Sequence, residues 1–472
     1  MNAKPRAALL PLYLELYDRC VPEARAELAP FPGVVAEGIE ARGVEIARCP
    51  ICCTRPEFAA AVDALDPAEI DLLITLHLAY SPSLESADVL ARAPLPILML
   101  DTTPDCDFGP DVDPSRIMHN HGVHGLQDLA CMLRRRGKPY EIVAGHWQNS
   151  DVLARAAAIA RAAHAARRLR STRALRIGEP FRGMGDFSVD DSTMRRVLGI
   201  KTAQIAPADL APACEAVSAQ AIEEEVAADR RRFNCLAGEA VHRDAVRLGL
   251  GLRRYLDENR IDAFSMNFLA FDTPDGPVSS VPFLEASKAM ARGIGYAGEG
   301  DVLTASLVGA LLRGFERVTF TEIFCPDWKG ERLFLSHMGE FNPAIAAGTP
   351  VLRERDWPFT RARKPAFITC APAPGPAVLV NLAPGPIDSF SLVIAPLEVQ
   401  GDATNPKMHE SLRAWVKPRC PVAEFLERYS RAGGTHHSAL VPGAQAEAMA
   451  AFARFAGIEP VVIQGEAEHE QA

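Results

Sequence analysis

Short apolar runs alternate with longer amphipathic stretches through the first third of the chain. The pattern predicts strands over 7–16, 44–49, 70–77, 96–100 and 140–144. Between them it predicts helices over 34–42, 58–65, 87–92 and 122–136, with a long Ala/Arg-rich helix over 151–170. Strands that alternate with helices pair in parallel, and parallel sheets open their ligand clefts at the carboxyl ends of the strands.

The same alternation restarts with a strand over 175–178. Helices over 192–198, 212–225 and 242–259 follow, and then a strand over 263–267. Beyond Glu322 the apolar runs shorten and are divided by Pro and Gly, at 366–370, 377–382 and 389–394, before a last helix over 443–455. Because Pro and Gly mark sheet edges and turns, this texture predicts an antiparallel sheet or barrel. The expected organisation is an α/β domain over 1–170, a second over 171–320 and a mainly β domain over 321–472.

Composition narrows the classes of function. With 48% hydrophobic and 23% charged residues the chain has ample material for buried cores, which excludes disorder. A formal net charge of −10 argues against general affinity for phosphate backbones, and no nucleic-acid partner is expected. The basic runs at Arg134–Arg136 and Arg230–Arg232 lack interleaved aromatics and read as solvated helix faces. Pro11, Glu15 and Asp18 interrupt the first apolar stretch too early for a secretory core, and no run approaches the roughly 20 apolar residues of a membrane span. A cytoplasmic protein without a membrane partner is expected. Eleven scattered cysteines read as reduced thiols, and the unit Cys49-Pro50-Ile51-Cys52 has no second ligand pair nearby to make a zinc site.

Four residues in the C-terminal half carry candidate chemistry: Glu299 in GYAGEGD, Glu322 in TFTEIF, His337 in LSHMGEFNP and His437 in GGTHHSAL. Two carboxylates and two imidazoles suit one divalent cation, and carboxylates beside a cation also move protons. The set points to metal-assisted chemistry on a small polyoxygenated substrate. Taken singly, each residue has a plain structural reading as a solvated loop carboxylate or a hydrogen-bonded histidine. No phosphate-binding glycine motif is present. The glycines at 293, 295, 298 and 300, read as a turn, frame a carboxylate, and their small size lets backbone approach the site closely.

The segments GYAGEGDVLTASLVGALL, FTEIF, LSHMGEFNPAIA and GGTHHSAL resemble, in order and in spacing, the metal-site segments of L-arabinose isomerases. Asn120-His121-Gly122-Val123-His124-Gly125 and Ala144-Gly145-His146-Trp147 resemble a further pair of segments from that family, so the resemblance covers most of the chain. The fold it implies is two Rossmann-like α/β domains followed by a mainly antiparallel, barrel-like β domain. It implies that Glu299, Glu322, His337 and His437 hold a divalent cation, usually manganese, with cobalt or magnesium as alternatives. The reaction implied is reversible aldose–ketose isomerisation through a cis-enediol, with Glu299 and Glu322 exchanging protons.

Substrate contacts implied by the same resemblance are Leu14, Tyr17, His121, His124, Phe268, Phe324, Met338 and His436. His436 is equally readable as a packing residue, and His119 reads as structural. His124 matches a histidine that reaches a neighbouring subunit's pocket, which implies a homo-oligomer, a trimer or hexamer, with shared sites. Leu14-Glu15 stands where the family has Gln-His, His121 where it has Gln, and Phe324 where it has Tyr, whereas Met338 is retained. Changed hydrogen-bonding groups beside an unchanged metal set imply the same reaction on an altered sugar, an aldopentose, aldohexose or deoxysugar. The same chemistry also serves epimerisation or retro-aldol cleavage of a modified sugar. A noncatalytic sugar-binding sensor is the reading from a different class.

Overall fold

Near-continuous apolar runs become fully buried parallel strands, as sheets covered on both faces require. In the computed structural model, which describes residues 4–401 and 406–465, they build the centres of two compact units, Met1–Arg167 and Arg168–Ala472. In the first unit, β1 (Arg6–Leu12), β2 (Glu45–Arg48), β3 (Leu72–His77), β4 (Ile97–Asp101) and β5 (Tyr140–Ala144) form one parallel sheet in the order β2-β1-β3-β4-β5. The chain reverses direction across the sheet between β1 and β3, so the crevice of this Rossmann-like unit lies at their carboxyl ends.

The second unit begins with another parallel sheet, made of β6 (Arg173–Ile177), β7 (Lys201–Ile205), β9 (Ala263–Met266) and β10 (Gly295–Gly298) in the order β10-β9-β6-β7. Here the reversal falls between β6 and β9. A two-residue strand, β8 (Asn234–Cys235), joins a small sheet with β13 (Val351–Glu354) and β14 (Ala366–Thr369). The remaining strands are β11 (Thr319–Asp327), β12 (Arg332–Ser336), β15 (Gly375–Pro384), β16 (Phe390–Val399), β17 (Ala414–Pro418), β18 (His437–Pro442) and β19 (Glu459–Val462). They run β15-β18-β11-β12-β17-β16, and pairing of β15 with β16 closes the ring into an antiparallel barrel. The free stretch of β16 takes β19 in parallel. Alternate residues such as Leu333, Leu335, Leu379, Val393, Leu397 and Val416 form one apolar cluster against Val422 and Phe425 of the helix Val422–Arg431.

Several boundaries differ from expectation, each for a local reason. The first strand, expected over 7–16, stops at Leu12, where its pairing with His77 and Cys52 ends. A helix Glu15–Cys20 takes over. The helix expected over 212–225 is two helices, Ala211–Glu215 and Ala219–Arg232. Ser218 separates them by accepting a hydrogen bond from Ala221 N (3.2 Å) as an N-cap. The glycine-rich turn expected around residues 293–300 contains strand β10. The helix Val302–Phe315 packs so closely on it that a Cβ at Gly295 would lie 2.1 Å from Ala305 O. The pattern also gave no signal for β7 or for the helices Phe283–Ala291, Val302–Phe315 and Val422–Arg431. Among the described residues no helix is long and apolar enough to cross a membrane.

Candidate metal centre

The candidate donors come from loop and barrel segments of the second unit. Glu299 follows β10 directly in a left-handed conformation (φ 64°), which a non-glycine residue rarely adopts and which the surrounding structure must enforce. Part of that enforcement is the Glu299 carbonyl, which accepts a hydrogen bond from Phe181 N (2.9 Å) in the loop after β6. Gly298 precedes it because a Cβ there would stand 2.7 Å from His337 Cε1 and 3.0 Å from Nε2. Glu322 on β11 is paired directly with His437 on β18, so the two side chains share one face of the barrel wall, together with Phe320 two residues earlier. His337 follows the last residue of β12. Phe320 lies edge-on to His337 and His437, at ring-centre distances of 4.6 and 4.9 Å.

The donor atoms fall into two triads that share His437: Glu322, His337 and His437, and Glu299, His436 and His437. Within each triad all donors lie within 4.8 Å of one another. His437 Nε2 is 3.6 Å from Glu299 Oε2, and His337 Nε2 is 4.0 Å from Glu322 Oε2. His436 Nε2 also stands 3.5 Å from Glu299 Oε2, an ion-pair separation that adds a fifth candidate donor to the four expected.

Each imidazole has its other nitrogen held by a carboxylate that the sequence reading does not single out. His437 Nδ1 is 3.0 Å from Asp301 Oδ2, His337 Nδ1 is 2.7 Å from Glu340 Oε2, and His436 Nδ1 is 2.6 Å from Asp186 Oδ2. Glu340 is fixed in turn by the hydroxyl of Tyr296 (2.6 Å) and the N–H of Gly339 (2.8 Å). A carboxylate at Nδ1 holds the ring proton there and turns the Nε2 lone pair toward the centre, the arrangement of metal-binding histidines. Two of the three had a sequence signal: acidic residues stand two after Glu299 and three after His337. Asp186 had none.

Charge and burial compete throughout. Burial raises the pKa of Glu299, but His436, His437 and His337 outweigh it and hold the carboxyl below its ordinary value. Burial opposes charge on His337, and Glu340, Glu322 and Glu299 overcome it and raise its pKa. Burial likewise opposes charge on His436, while its hydrogen bond to Asp186 and the nearby Glu299 and Glu322 push its pKa up to about 10. Glu299 Oε2 and His437 Nε2 are buried without a hydrogen-bond partner. Buried polar atoms that keep ion-pair contacts but no hydrogen bond cost free energy that a cation between them would recover, and a mixed carboxylate–imidazole set fits a hard-to-borderline divalent ion such as manganese.

The other expected contacts are placed as follows. Phe268, just after β9, is nearly buried against Phe181, Trp357 and Phe359. Phe324 is the extra residue of a bulge in β11 and is 45% exposed, and Met338 is half-buried next to His337. The first unit gathers its own group at the carboxyl ends of β1 and β3. Leu14 opens the helix Glu15–Cys20, the Tyr17 hydroxyl is 3.0 Å from His121 Nε2, and His121 lies edge-on to His124 at 5.1 Å. His119 is bound to Glu27. His77, missed in the sequence, is buried at the end of β3, and burial, reinforced by His124, brings its pKa down to about 3.

Half-buried carboxylates and buried or half-buried imidazoles that converge from a parallel-sheet loop and a barrel wall, each histidine held from behind, define a candidate centre for a divalent cation. Comparison with known proteins gives the lineage. Residues 173–313 match the family described as the L-arabinose isomerase central domain, and residues 317–459 match the L-arabinose isomerase C-terminal domain. L-arabinose isomerase 1 of Bacillus licheniformis is 28% identical over 403 residues, covering 83% of this chain and 80% of its own. The L-arabinose isomerase of Herpetosiphon aurantiacus is 26% identical over 458 residues, covering 93% and 90%. The chain belongs to the L-arabinose isomerase family.

Proposed function

We propose that the protein is a divalent-cation-dependent aldose–ketose isomerase working through a cis-enediol. The observation that carries the proposal is the placement of Glu299 with His437, and of Glu322 with His337 and His437, in two donor groups that overlap at His437, with two buried donor atoms that make no hydrogen bond. The names of the relatives agree with it. A cation held by these four residues, manganese or alternatively cobalt or magnesium, would polarise the carbonyl and the adjacent hydroxyl oxygen of an open-chain sugar. A C–H next to a sugar carbonyl is a poor acid, so a positioned base must take and return the proton. Glu299, held ionised by its histidines, and Glu322, opposite His437, exchange protons with carbon and oxygen. His436, with part of its ring open to solvent, contacts the substrate.

In this reading Leu14, Tyr17, His121 and His124 bind the far end of a sugar in a neighbouring subunit of a cytoplasmic trimer or hexamer. Phe268, Phe324 and Met338 line the pocket around the centre, and the domains are 1–170, 171–320 and 321–472. Leu14, His121 and Phe324 replace the family's hydrogen-bonding residues, so the preferred sugar differs from L-arabinose. The test is incubation of the purified protein with a panel of aldopentoses, aldohexoses and deoxysugars, with Mn²⁺ and after chelation. Ketose that forms only with the cation is expected. A metal-loaded protein that makes no ketose from any of them would overturn the proposal.

A further inference from the structure

Asp186 lies in the loop between β6 and the short helix Asp191–Thr193, far in sequence from the motifs that carry the candidate donors. It nevertheless holds His436 at two points, because its Oδ2 accepts from the backbone N–H (2.9 Å) and stands 2.6 Å from the ring Nδ1. Two contacts on one residue, one to backbone and one to ring, fix both where the imidazole starts and which way it turns. The loop is itself tied to the centre. Phe181 N donates to Glu299 O (2.9 Å), and Phe187 stacks on His437 (5.4 Å, 11° between planes) while also touching His436 (5.6 Å). His437 is fully buried, whereas His436 keeps 29% of its side chain exposed with Nε2 beside Glu299. A histidine so held, with one edge open next to a proposed proton-transferring carboxylate, is set to meet a ligand.

We infer that Asp186 is a positioning residue: it orients His436 so that Nε2 faces the substrate hydroxyls beside Glu299. This rests on the isomerase reading, and the substrate class is the same open-chain sugar. Asp186 touches neither sugar nor cation and acts only through the ring that it holds.

The experiment uses full-length Asp186→Ala and Asp186→Asn beside wild type, loaded with Mn²⁺ and assayed on the aldose of the panel that wild type converts. Asp186→Ala is expected to raise KM about tenfold, the effect of losing a charged hydrogen bond on a binding group, with kcat and the Mn²⁺ Kd little changed. Asp186→Asn, whose oxygen still accepts, is expected to recover most of the loss. An unchanged KM in Asp186→Ala, or a KM loss matched by weakened Mn²⁺ binding, would overturn the inference. A second arm needs no turnover: ¹H–¹⁵N spectra of the histidine rings in the metal-free protein, where the slowly exchanging His436 Nδ1 proton should disappear in Asp186→Ala. If wild type converts no aldose, the isomerase reading fails and this arm decides alone, with persistence of that proton in Asp186→Ala refuting the hold.

Discussion

Asp301 uses its two oxygens for different partners, which makes Asp301→Asn a sharp perturbation. Oδ1 accepts from Thr304 N (2.8 Å) and caps the helix Val302–Phe315, and Oδ2 holds His437 Nδ1 at 3.0 Å. An asparagine has one oxygen for both tasks. If that oxygen stays on the helix, the amide NH₂ faces His437 Nδ1, which must then accept. The ring proton moves to Nε2 and closes the nitrogen that faces Glu299. If the oxygen turns to His437, an NH₂ meets the Thr304 N–H and the cap, worth about 1 kcal/mol, is lost. Cation binding requires the second arrangement. It therefore carries the lost cap together with the weaker, uncharged acceptor behind His437, a sum of roughly 1.5–3 kcal/mol, or about 10- to 150-fold in Kd. Isothermal titration of the metal-free variant and wild type with Mn²⁺ measures the difference. An unchanged Kd in a variant that folds normally would refute the role given to Asp301.

Further outcomes follow from the same geometry. Glu299→Gln and Glu322→Gln should each lower kcat at least about a hundredfold at saturating Mn²⁺, since each removes a proton acceptor, and near wild-type turnover in either would take that residue out of the mechanism. Gly298→Ala places a methyl 2.7 Å from the His337 ring, which Glu340 prevents from retreating, so Mn²⁺ binding should weaken about tenfold or more by titration. In the metal-free protein the His436 pKa of about 10 exceeds its unfolded value of about 6.5. Its stabilising contribution is therefore complete below the unfolded value and is lost as pH rises through the folded one. The thermal midpoint should fall across that window in wild type and fall less in His436→Gln; equal slopes would contradict the assignment.

The parts of the fold that were legible are those whose burial leaves a mark in the residues. The near-continuous apolar β3 stands out because a central parallel strand needs apolar side chains on both faces, whereas Tyr140–Ala144, an edge strand with only Val143 buried, shows itself by its short β-type run alone. Strand β10 did not, because Gly-Tyr-Ala-Gly carries no strand signature and owes its place to a helix that only glycine lets approach. The helix Val302–Phe315 is buried nearly all round, so no amphipathic stripe announced it. At the site, the candidate donors lay in contiguous motifs and were readable as such. Their supports were less so: Asp186 stands 250 positions before the histidine it holds, and only the fold joins them.

The isomerase reading stands on proton transfer by Glu299 and Glu322 beside a bound cation. The most direct test is proton NMR of the reaction in D₂O, with Mn²⁺ and after chelation, on whichever aldose is converted. Ketose should appear only with the cation, and deuterium should enter at the carbons next to the carbonyl. Ketose that accumulates with no deuterium in product or recovered aldose, even after prolonged equilibration, would contradict proton transfer and point instead to direct hydride movement between the two carbons.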